Sequence, residues 1–213
     1  MRKKVLSLVF SLILVFGCVS LVSAHDEDYF LYGYSSSSGI TVSNLKLRIA
    51  SSAQNTIQTS TVYNSATSWN GISSNVAVSV TVASNNTVVS NYVMVSGQSY
   101  SDNTLGETIP YDSSGNITGA NTVWSNVEII MNTNMSTWGS CTNPPAAAKK
   151  SFLHEVGHVL KLAHPVRNSY YSGHTYASGY PLAIMNQGFP NGSYIPTSIQ
   201  THDKTNLKAK WGS

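Results

Sequence analysis

The run His154-Glu155-Val156-Gly157-His158, with His164 six positions further on, constrains this chain more than any other stretch. Two histidines four residues apart can hold one ion when the backbone between them is helical, because positions i and i+4 then share a face. Glu155 lies about 100° round such a helix, at roughly 3.6 residues per turn, so its carboxylate can flank an ion without ligating it. The pattern predicts a helix that carries a zinc site. His154 and His158 are the ligands, Glu155 is the general base for a zinc-bound water, and the chemistry is that of a hydrolase, a protease above all.

The flanking residues suit that helix. Asn143 is a good N-cap and Pro144 fits the first turn. Ala146-Ala147-Ala148 follow with high helix propensity. Phe152, Leu153, Val156, Val159 and Leu160 supply an apolar side, and Pro165 stops any helix after His164. Upstream, Leu45-Lys46-Leu47-Arg48-Ile49 alternates apolar and charged residues, the period of a half-buried strand. Ile57, Val62, Tyr63, Ala66, Trp69 and Ile72 recur at helical spacing and predict a helix from Ile57 to Ile72. Its Ser and Thr content leaves packing to hold it. Val76 to Val82 and Thr87 to Val95 read as strands, with Asn85-Asn86 as the hairpin turn between them. Thr104 to Pro110 reads as a short edge strand, and Val127 to Met131 as a strand close to the core. Residues 165 to 200 hold no long periodic segment. A last helix runs from Thr201 to Trp211 and ends at Gly212. The order of elements is α+β with a mixed sheet.

The N-terminus reads differently. Met1-Arg2-Lys3-Lys4 is basic, Val5 to Val22 is almost wholly apolar, and Val22-Ser23-Ala24 offers small residues for cleavage. Residues 1–24 are therefore expected to be a signal peptide and residues 25–39 an irregular, Ser- and Tyr-bearing arm. Residues 40–213 are expected to form one domain. The expected address is extracellular; an uncleaved signal or lipidation at Cys18 would anchor the chain to a membrane instead. The full chain carries 12 Lys and Arg against 9 Asp and Glu. Loss of Arg2, Lys3 and Lys4 leaves nine of each, so no basic surface invites nucleic acid. Cys141 is then the one cysteine, and no disulfide can form within the chain.

The third ligand follows from inventory. Zinc proteases of the thermolysin kind use a Glu downstream of the helix. The four Glu residues here are 27, 107, 128 and 155, so none is available. His164, His174, His202 and Asp203 remain. His164 is favoured because Lys161 to Ala163 can turn the chain back under the metal. His202 and Asp203 fall at the start of the last helix, where Asp suits the dipole.

With these residues in view, His154-Glu155-x-x-His158-x-x-Lys161-x-x-His164 resembles the metzincin motif His-Glu-x-x-His-x-x-Gly-x-x-His. Ala183-Ile184-Met185-Asn186 looks like the Met-turn of that clan. The nearest group is the matrixins and their bacterial relatives. The resemblance implies a metzincin-like zincin fold: a twisted mixed sheet, an active-site helix, a Met-turn at Met185 and a C-terminal helix. It further implies that an extended peptide pairs with an edge strand, here Thr104 to Pro110, while the loop Asn186 to Pro196, with Phe189, Tyr194 and Ile195, walls a specificity pocket. Tyr170, Tyr171, Tyr176 and Tyr180 are candidates for an oxyanion hydroxyl, and nothing singles one out. Two features depart from the family. Lys161 stands at the glycine position, where a positive φ costs a non-glycine residue roughly 1–2 kcal/mol. No propeptide cysteine is present, and Cys141 lies about 20 Å before His154 along a helix, too far to cap a metal.

The expected function is a secreted zinc endopeptidase that hydrolyses peptide bonds. It would act as a monomer on a protein or peptide substrate, with one catalytic zinc ion and no nucleic-acid or membrane partner. Matrixins also carry structural calcium, but Asp102, Glu107 and Asp112 show no EF-hand spacing, so calcium is left unassigned. The alternative is a non-catalytic extracellular binding protein that keeps a zincin fold.

Overall fold

The computed structural model describes residues 29–30, 32–102, 104–139, 141–165, 182–187 and 195–213. The expected signal peptide lies outside them. Among them, no helix is long and apolar enough to cross a membrane.

Five strands form one mixed sheet: β1 (Leu45–Ile49), β2 (Val78–Val82), β3 (Val93–Gln98), β4 (Gly106–Tyr111) and β5 (Asn126–Asn132). Their spatial order is β2-β1-β3-β5-β4. β1 runs parallel to both β2 and β3, β3 runs parallel to β5, and only β4 is antiparallel, pairing with β5 from Gly106↔Met131 to Tyr111↔Asn126. The alternation read in β1 is real: Leu45, Leu47 and Ile49 are fully buried while Lys46 and Arg48 are not. Val93, Val95, Val127, Ile129 and Met131 continue that buried face across β3 and β5.

Two sequence expectations need correction. Asn85-Asn86 is not a hairpin turn, because β2 and β3 flank β1 on opposite sides and never pair. Instead Asn85 Oδ1 accepts from Arg48 Nη2 at 2.8 Å, and Asn86 Oδ1 accepts from the Ser52 amide at 2.9 Å. The third strand accordingly begins at Val93, not Thr87. The helix expected over Ile57 to Ile72 also shrinks. It is one α-helical stretch, α1 (Ser60–Asn64), followed by a 3-10 turn over Ser65–Trp69. The hydroxyls of Ser65, Thr67 and Ser68 each donate to the carbonyl three residues back, at 2.6, 2.9 and 2.7 Å. Those bonds draw backbone acceptors out of the helical ladder and tighten it. The apolar stripe is nonetheless used: Tyr63, Ala66 and Trp69 are fully buried.

The remaining helices are α2 (Met135–Gly139), α3 (Pro144–Val159) and α4 (Thr201–Trp211). α3 has the expected cap, with Asn143 Oδ1 accepting from the Ala146 amide at 3.2 Å. It packs its apolar side on α1 and the sheet, and Tyr63 meets Phe152 edge-on at 4.8 Å. α4 ends at Gly212, whose φ is 87°. Trp211 Nε1 donates to the Leu160 carbonyl at 2.7 Å, which ties α4 to the end of α3.

β3 also needs one close approach. A Cβ on Gly97 would lie 2.0 Å from the Ser52 carbonyl oxygen, which is backbone. Gly97→Ala should therefore lower the free energy of unfolding by about 1–3 kcal/mol in a denaturant titration.

Candidate metal centre

α3 delivers His154 and His158 to one face, one turn apart, and the turn after it returns His164 to the same point. The intervening geometry is a Schellman motif. The Lys161 amide donates to the His158 carbonyl at 2.8 Å, and the Leu162 amide to the Gly157 carbonyl at 2.9 Å. The residue in the left-handed position is Lys161, with φ 67°. The turn therefore keeps the shape that a glycine would favour, although a lysine occupies it. Gly157 answers a second constraint: a Cβ there would lie 2.2 Å from Met185 Sδ and 3.3 Å from the Trp69 ring.

The three Nε2 atoms converge, with His154–His164 at 3.0 Å, His158–His164 at 3.0 Å and His154–His158 at 3.1 Å. Their protonation follows from the opposite side of two rings. His154 Nδ1 faces the Ile184 carbonyl at 2.9 Å, and His158 Nδ1 faces the Leu162 carbonyl at 2.9 Å. A carbonyl only accepts, so both Nδ1 atoms carry the hydrogen and both Nε2 atoms present lone pairs. A single hydrogen on His164 could bridge to only one of them. Burial, with neighbouring charges adding to it, holds the His158 imidazole at about 3 and His164 at about 4, and His154 well below the usual imidazole range. The rings are neutral at ordinary pH. Unprotonated nitrogens this close are relieved by a cation, and the all-imidazole set suits zinc. These three residues are the one such group among the described residues.

Glu155 leaves the same helix toward β4. Its Oε2 accepts from Thr108 Oγ1 at 2.7 Å. β4 makes room for it at Gly106, where a Cβ would come within 3.0 Å of Glu155 Cγ. Burial pushes the carboxyl up to about 7, against the Thr108 hydrogen bond and the Lys150 ammonium, both of which favour ionisation.

Beneath the rings lies the Ala183–Asn186 turn, with Ile184 and Met185 buried. Asp203, the third residue of α4, is fully buried and grips it. Its carboxylate accepts from the amides of Ile184 at 2.8 Å, Met185 at 3.1 Å and Gln200 at 2.9 Å. Lys150, one turn before His154, donates its ammonium to the Asn186 carbonyl. Sequence reasoning kept Asp203 as a candidate ligand and placed it at the helix dipole; it is not in the three-imidazole group, and its hold on the turn and the part of Lys150 were missed. A single acidic residue at a helix start and an adjacent pair of lysines carry no signal of what folds over them.

The other candidates fall elsewhere. His202 sits on α4 with its Nε2 3.2 Å from Asn206 Nδ2, and it is not a member of the three-imidazole group. Cys141 is partly buried and lies 3.9 Å from the Thr137 carbonyl. His174, Tyr170, Tyr171, Tyr176, Tyr180, Phe189 and Tyr194 lie outside the described residues.

No family model and no curated protein matches the chain. Among solved structures it is similar to that of myroilysin, at 13% identity and a TM-score of 0.44, over 81% of this chain and 94% of that one. At that level the likeness carries no weight for function.

The clamp on the turn is open to test without any metal. Asp203→Ala leaves buried amides unsatisfied, and each such group costs about 1–3 kcal/mol. Denaturant unfolding of the metal-free chain should show a loss of at least about 2 kcal/mol.

Proposed function

We propose that this protein is an exported zinc endopeptidase of the matrixin-like kind. The convergence of three imidazole nitrogens beside a buried glutamate is the observation that carries this reading. His154, His158 and His164 would hold the ion, with Met185 in the turn below. Bound there, zinc supplies a Lewis acid for a carbonyl and lowers the pKa of water towards about 7. Glu155 takes the proton from the attacking water and returns it to the leaving amine. A carboxyl near 7 is suited to both transfers. The Thr108 hydroxyl holds one carboxylate oxygen while the other stays available.

β4 supports the assignment of a peptide substrate. β5 pairs with one of its edges. On the other, the Pro110 carbonyl accepts from the Thr118 amide at 3.0 Å, so the far end is occupied. Gly106 to Ile109 have no strand on that side among the described residues. An extended chain can add there through backbone hydrogen bonds, which bind many sequences. Export rests on the basic start, apolar run and small residues of positions 1–24.

In this reading Glu155→Gln keeps zinc and loses about 10²- to 10⁴-fold in kcat on an unstructured protein substrate. Metal analysis beside the assay separates the two effects. Stoichiometric zinc in a wild-type chain that cleaves no peptide in a diverse library would overturn the enzymatic reading and favour a binding protein.

A further inference from the structure

Lys161 does more than fill a turn. Its backbone is left-handed, a conformation that disfavours any residue with a Cβ, and its side chain is fully buried. The ammonium lies 3.3 Å from the centre of the Trp124 ring, 5.8 Å from that of Phe30 and 5.9 Å from that of Tyr34. It also donates to the Thr122 carbonyl at 3.2 Å. Burial, with the Lys210 charge adding to it, pulls the group down to about 7, while aromatic faces favour the cation.

Two of those rings belong to the N-terminal segment, whose backbone is fastened to the same place. The Phe30 amide donates to the Lys161 carbonyl at 2.7 Å, and Tyr29 forms a bridge with Leu162. Tyr34 Oη donates to the Val159 carbonyl at 2.8 Å. The segment then joins Trp124, which accepts from the Ser35 amide at 2.7 Å and donates to Gly33 at 3.2 Å. Phe30 also stacks on the His158 ring, with centres 6.0 Å apart and planes 18° from parallel. The Leu162 carbonyl, in the turn that Lys161 sets, orients the same imidazole.

We propose that Lys161 is a positioning residue that clamps Tyr29, Phe30 and Tyr34 over the back of the metal-binding turn, making them part of the support of His158. The part of this inference that concerns the metal rests on the reading of His154, His158 and His164 as ligands. The clamp itself does not.

Lys161→Gly separates the two roles of the position. The backbone there suits glycine, so the variant folds, and a residue needed only for the turn would be replaced without loss. In the metal-free chain, exchange of the Phe30 and Ser35 amides, which donate to the Lys161 and Trp124 carbonyls, should instead quicken by roughly tenfold or more in Lys161→Gly. Lys161→Arg, which keeps a cation for the same rings, should restore most of the protection. Competition for Zn²⁺ against a chromophoric chelator should show an affinity about tenfold weaker in Lys161→Gly, the scale of lost support behind a ligand, with recovery in Lys161→Arg. Unchanged exchange in Lys161→Gly would overturn the clamp. Faster exchange with unchanged zinc affinity would overturn the link to His158. A wild-type chain that binds no zinc would sink the metal reading, while the exchange comparison still decides the clamp.

Discussion

Lone pairs on neutral imidazoles repel, and here they are held within 3.1 Å of one another. The structure around them is a set of restraints on that arrangement. α3 fixes two rings through backbone geometry. Two carbonyls, Ile184 and Leu162, fix their tautomers. The left-handed turn at Lys161 brings in the third ring. A mobile cluster would turn its nitrogens away from each other or fill with water. This one stays aligned because His154 and His158 are anchored on the side facing away from the centre and the turn after α3 carries His164 to them.

Three buried charges belong to the same economy of space. Lys150, Glu155 and Asp203 are each less than a tenth exposed and sit around α3 and the Ala183–Asn186 turn. Lys150 reaches a carbonyl, Asp203 gathers three amides and Glu155 takes a hydroxyl. Burial pulls the Lys150 ammonium down to about 8, against the Glu155 and Asp203 charges, which favour the cation. Their sum makes the turn stiff from both ends, with its amides held by one side chain and its carbonyl by another.

Much of this was legible where the signal is local. The limits of α4 and the cap and course of α3 follow from Asn143, Pro144, the apolar stripe and Gly212. The edge position of β4 follows from Pro110 and the short run before it. His164 was reached by counting glutamates, and its nitrogen does meet the other two. What failed was long-range. Parallel pairing of β2 and β3 on either side of β1 leaves no mark at Asn85-Asn86, since crossover partners are set by topology and not by the turn. The shortened α1 was mis-sized because periodicity reports which face is buried, whereas Ser and Thr hydroxyls decide how the backbone closes. Lys161 looked like a flaw in a motif. Its aromatic surroundings come from positions about 40 and 130 residues away, and no window of sequence displays them together.

The short stretch Val159–Leu162 is where distant parts of the chain meet: Tyr29, Phe30 and Tyr34 from one end, Thr122 and Trp124 from the middle, and Trp211 from the other. Contacts of such large sequence separation carry a larger loop-closure entropy than local ones. His158 and His164 flank that stretch. A nascent or partly folded chain can thus have a complete α3 and still lack an assembled centre. Assembly of the three-imidazole cluster therefore depends on contacts from both ends and the middle of the chain, and not on α3 alone.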